Sequence, residues 1–84
     1  MVWLGLNVGA NVAKNACQND DPETAKKEIR SGLKLLGAST SSLKTGQADL
    51  SRAAKHCAFV VSALAFDDVL HARKEFSDAF SKCG

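Results

Sequence analysis

The sequence predicts an all-α fold in which four helices form two antiparallel helical hairpins, a small helical bundle with an internal repeat. Three observations predict it. Apolar residues recur at three- and four-residue steps in four separate stretches, helix-start and helix-stop residues punctuate those stretches, and two segments 47 positions apart read alike. At 84 residues the chain fits one domain with a modest core, divided into hairpin 1 (1–37), a linker (38–46) and hairpin 2 (47–84).

The first helix is expected over 3–18, with Trp3, Leu6, Ala10, Ala13 and Cys17 on one face. Its opening stretch, MVWLGLNVGANVA, is apolar, but it has no basic lead-in, Asn7 and Asn11 interrupt it, and it falls well short of the ~20 residues of a membrane span. It reads as a buried helix. A start left by removal of a leader, as in a processed organellar protein, is the other reading. Gly5, Gly9, Ala13 and Cys17 fall at every fourth position, and such a stripe is expected to let the helix pack closely within the bundle.

The second helix is expected over 22–36. Asp21 is the candidate N-cap and Pro22 occupies the first helical position, where its missing N–H costs nothing. Ala25, Ile29, Leu33 and Leu36 keep one face apolar, and Gly37 stands where a helix-terminating glycine would. The segment GASTSSLKTGQ then supplies small and polar residues without periodicity. The third helix is expected over 47–65 on a seam of Leu50, Ala54, Cys57, Val61 and Leu64. The fourth, over 68–83, carries Val69, Ala72, Phe76, Ala79 and Cys83, with Asp68 as its N-cap and Gly84 at its end.

Two aspartates interrupt each hairpin at its junction, and this reveals the repeat. Placing NDDPETAKKEI over FDDVLHARKEF sets Asp20 and Asp21 on Asp67 and Asp68, an offset of 68 minus 21, or 47. The same offset sets Ala16 on Ala63, Ala25 on Ala72, Lys27 on Lys74, Glu28 on Glu75 and Gly37 on Gly84. Two copies of one helical hairpin follow. The carboxylates then stand where a helix start leaves backbone N–H groups without partners, so capping is their expected role.

Chemistry finds little purchase. A net charge of +2 is too small for a nucleic-acid footprint, and Lys26, Lys27, Arg30 and Lys34 are answered by Asp20, Asp21, Glu23 and Glu28. Cys17, Cys57 and Cys83 match no zinc or redox spacing. In an up-down-up-down bundle Cys17 and Cys83 would lie near opposite ends, so the thiols are expected to stay apart and reduced, in a cytoplasmic compartment. His56 and Cys57 are sequence neighbours, which on a helix point about 100° apart and so make no nucleophile–base pair. His71 is expected to bond locally to Asp67 or Asp68. No glycine-rich phosphate loop and no pair of carboxylates on one helix face is read. No enzyme activity, cofactor, metal or nucleic-acid partner is expected.

At residues 53–72 the text AAKHCAFVVSALAFDDVLHA resembles the C-terminal dimerisation motif of the ATPase-cofactor family of the endosomal-sorting (ESCRT) machinery. The likeness rests on Lys55, Cys57, Phe59, Ser62, Ala63, Leu64, Phe66, Asp67, Asp68, Val69 and Ala72, and covers about residues 51–82. It implies a hairpin that pairs with a second copy of itself and docks onto an AAA ATPase. Cys57, Val61, Leu64 and Phe76 would then carry the pairing, and Lys55 would be a polar contact to the ATPase. Apart from the resemblance, helices 3 and 4 present more large apolar surface than one short hairpin can cover, which adds Val69 and Phe80 as expected interface positions. The family motif ends a much longer chain with N-terminal helical modules and a polar linker, which this sequence lacks. The sequence-level reading is a protein–protein interaction module with a protein partner or a homodimer; the alternative is a small structural four-helix-bundle subunit of a larger assembly.

Overall fold

The computed structural model describes residues 3–41 and 43–84. It contains α1 (Leu4–Gln18), α2 (Pro22–Leu35), α3 (Leu50–Ala65) and α4 (Val69–Lys82), with no strand among the described residues. The expected all-α fold of two antiparallel hairpins is therefore the observed one. Three helices match their expected bounds within a residue at each end. The third begins three residues late, because Gly46 N–H and Asp49 N–H donate instead to Ser81 O (2.8 Å) and Lys82 O (2.7 Å), serving the open carbonyls at the end of α4. Asp49 then becomes the N-cap, accepting from Arg52 N–H at 3.2 Å.

The two junctions are built alike, and each aspartate of a pair has its own task. Asp20 and Asp67 adopt left-handed backbone with φ of 57° and 54°. Around them Asp20 N–H bonds Cys17 O and Asp21 N–H bonds Ala16 O, and in the second hairpin Asp67 N–H bonds Leu64 O and Asp68 N–H bonds Ala63 O. This is the paired closure of a helix C-terminus, with aspartate in the place glycine usually takes. The second aspartate caps the next helix: Asp21 accepts from Thr24 N–H at 3.2 Å and Asp68 from His71 N–H at 3.1 Å.

Helix order is where the structure departs from expectation. Each helix packs on two others in a ring α1–α2–α4–α3, and neighbours run antiparallel. Trp3 at the start of α1 donates to Asp67 after α3 at 2.5 Å; Lys26 early in α2 donates to Gly84 O after α4 at 3.0 Å. Arg73 early in α4 donates from Nε and Nη2 to Leu36 O after α2. The order is up-down-down-up, and the linker must run the length of the bundle to start α3 at the end where α1 finishes. An apolar seam gives the facing side of a helix but not its direction, so the expected up-down-up-down order fails.

The two hairpins form an isologous pair within one chain. Buried Leu6, Ala10, Ala13, Ala16, Cys17, Ala25, Ile29, Leu33 and Leu36 correspond at offset 47 to buried Ala53, Cys57, Val60, Ala63, Leu64, Ala72, Phe76, Phe80 and Cys83. The reciprocal reach of Lys26 and Arg73, also 47 apart, is what a two-fold relation requires. One pair differs in bulk. Phe76 lies over Gly32, where an added Cβ would stand 2.7 Å from the ring Cζ. The equivalent positions hold Ile29 and Ala79. The closest glycine approach thus occurs at Gly32; of the expected stripe Ala13 and Cys17 are packed in the core, while Gly5 has nothing within 4 Å of its would-be Cβ and Gly9 only a Glu28 oxygen at 3.6 Å.

Candidate interaction surface

The six expected interface residues divide by burial. Cys57 and Phe76 are wholly buried, and Leu64 and Phe80 nearly so, in the core that α1 and α2 share with α3 and α4. Val61 and Val69 are half-buried and pack against that core from its edge. The seam of α3 accordingly runs through Ala53, Ala54, Cys57, Val60 and Leu64, and Val61 sits beside it. Hairpin 1 thus covers the apolar face that a lone hairpin would have to offer to a second copy.

The thiols lie together, contrary to the expected separation. With α4 returning to the end where α1 finishes, Cys17 and Cys83 face one another, and both lie close enough to Cys57 for charge to be felt among the three. All three are free and buried. Burial, then the neighbouring thiols, pushes Cys57 up to about 12; burial likewise raises Cys17, and raises Cys83 to about 12. Such thiols are poor nucleophiles.

What remains open on hairpin 2 is its outer face. Phe59 is half-exposed and Phe66 is 85% exposed, in a helix pair whose core is otherwise closed. Arg52, Lys55, His56 and Phe59 line a depression of about 260 Å³, and Phe59, Ser62, Ala63, Phe66, Asp68 and His71 line an adjoining groove of about 320 Å³. Lys55 points to solvent there, on the face opposite the core. The face joins an apolar groove to basic residues at one end and to the Asp68 carboxylate at the other.

Beside the groove sits a polar cluster that the sequence did not single out. Glu75 is the one buried charged residue among those described. His56 Nδ1 lies 2.6 Å from its Oε1, and His71 Nε2 lies 3.0 Å from its Oε2. Burial would push the Glu75 carboxyl up, but hydrogen bonds from His56 and then His71, with their charges, outweigh it and hold the group below the usual carboxylate range. His71 also stands 3.7 Å from Asp68, the local partner expected for it. Asp78 follows Glu75 by one turn, so two carboxylates do share a face of α4. The i, i+4 spacing of His71 and Glu75 was a legible signal; the approach of His56 from another helix was not.

No match was found among curated proteins or among solved structures. A family model does match: residues 47–81, under half of the chain and comprising hairpin 2 with its approach, fit the Vta1 C-terminal domain. Hairpin 2 is therefore similar to the Vta1 C-terminal domain, in the same segment whose residues carry the resemblance to the endosomal-sorting family.

Proposed function

We propose that the chain is a non-enzymatic protein–protein interaction module of the endosomal-sorting type, in which hairpin 1 takes the position a second copy of hairpin 2 would hold. The observation that carries this is the burial of Cys57, Leu64, Phe76 and Phe80 against hairpin 1, position for position with Ala10, Cys17, Ile29 and Leu33. With that face closed, the partner binds the outer α3–α4 face, where Phe59 and Phe66 supply apolar area and Lys55 with Arg52 the charge. An AAA ATPase is the partner that the resemblance to the Vta1 C-terminal domain supports. Three free buried thiols support a reducing, cytoplasmic setting.

Titration of the chain against such an ATPase, followed by calorimetry, tests the reading. Binding should weaken at least tenfold in Lys55→Glu and in Phe59→Ala, both surface changes that leave the helical circular dichroism intact. Binding by neither the parent nor the variants would remove the ATPase. Exposed Leu4, Val8 and Leu35 lie on the other hairpin, which favours a second reading as a structural subunit of a larger assembly, with contacts on several sides.

A further inference from the structure

The Glu75 cluster has more ligand chemistry than helix packing requires. His56 on α3 and Glu75 and Asp78 on α4 each place one donor atom within 4.8 Å of the other two. In a tetrahedral zinc site with bonds of about 2.0–2.1 Å the donors stand roughly 3.3 Å apart, so small side-chain rotations would bring these three onto one ion. The alternative is a hydrogen-bonded histidine–carboxylate pair that merely ties α3 to α4. The internal repeat discriminates between the two. At the equivalent positions hairpin 1 carries Gly9, Glu28 and Ser31 in place of His56, Glu75 and Asp78, and Thr24 in place of His71. Those positions pair α1 with α2 without an imidazole or a second carboxylate, so the packing itself does not call for either.

We propose that His56 Nδ1, Glu75 Oε1 and a carboxylate oxygen of Asp78 bind a divalent transition-metal ion of the zinc class, with the fourth position open to solvent. One imidazole and two carboxylates suit such an ion, whereas calcium or magnesium would take six or more oxygen donors or keep most of their waters. His71, which holds Glu75 Oε2 at 3.0 Å, orients the carboxylate and fixes which oxygen faces the ion. Asp78 gives up only an exposed contact to Lys74 at 3.7 Å, an interaction of little strength. The ion would cross-link the two helices that flank the Phe59 groove.

The test is calorimetric titration of the reduced 84-residue chain with zinc chloride, with magnesium chloride in parallel. One zinc per chain and no magnesium uptake are expected. Affinity should fall by roughly 10–100-fold in His71→Thr, which removes an outer hydrogen-bond partner, and by at least that factor in Asp78→Ser and in His56→Ala, which remove ligands; all three are close to what hairpin 1 carries. Cobalt replacing zinc reports the donors: this site gives ligand-field bands without a thiolate charge-transfer band. Thermal melts of each variant establish that it is folded before titration. The proposal is overturned if no saturable zinc binding occurs, if folded Asp78→Ser and His56→Ala bind as the parent does, or if the cobalt spectrum shows thiolate ligation by the cysteines.

Discussion

Adding one methyl group at Gly32 tests how the two hairpins are fitted together. In Gly32→Ala the new Cβ would stand 2.7 Å from Phe76 Cζ and 2.8 Å from Cε2, so a fully buried ring would have to shift. Overpacking of this kind costs about 1–3 kcal/mol. Replacing a mid-helix glycine with alanine returns about 1 kcal/mol of helix propensity. The net expectation is destabilisation by about 1 kcal/mol, a fall in Tm of roughly 4–8 °C for a domain of this size. Phe76→Ile alone should cost about 1–2 kcal/mol through the void it leaves. The double variant installs the alanine and isoleucine that Ala79 and Ile29 already provide at the equivalent positions. It should therefore lose less than the sum of the singles by about 1 kcal/mol, a coupling that urea unfolding followed by circular dichroism resolves. Stabilisation in Gly32→Ala by the full propensity term, or additive single effects, would refute the contact and the equivalence together.

Other expectations follow from the caps and the buried titrating groups. Asp21→Ala, Asp49→Ala and Asp68→Ala should each lower stability by about 1 kcal/mol in the same unfolding assay, since each removes a side-chain acceptor from a helix N-terminus. The cysteines should resist alkylation near neutral pH and react as urea unfolds the chain. Their raised values mean that the folded state keeps protons which the unfolded chain releases above about pH 8.5, so stability should fall as pH rises from there toward 12. Glu75 behaves oppositely. Its depressed value contributes stability above the unfolded carboxyl's own value of about 4.3, and that contribution is lost as pH falls through the folded value; Glu75→Gln should flatten this acid limb of the unfolding profile.

The features legible in the sequence were local ones. Asp21–Pro22, the spacing of Ala25, Ile29 and Leu33, and the offset that sets Asp20 and Asp21 on Asp67 and Asp68 all act within a turn or two of the chain, where residue type constrains backbone directly. α3 starts later than its sequence pattern predicts because Gly46 and Asp49 bond to the end of α4, a contact no local pattern records. The direction of α3 has no sequence signal, because the seam of Ala53, Cys57, Val60 and Leu64 looks the same whichever way the helix runs. That single reversal also brought Cys17 to Cys83. On the candidate surface, Lys55 and Phe59 were named from the resemblance, whereas the meeting of His56 with Glu75 depends on the rotation of α3 against α4 and had no signature within either helix.

The most direct test of the central claim, that hairpin 1 fills the place of a second copy, is sedimentation equilibrium of the whole chain over a wide concentration range. With hairpin 1 in that place, a single species of 8.9 kDa is expected throughout. A stable species of twice that mass would contradict it.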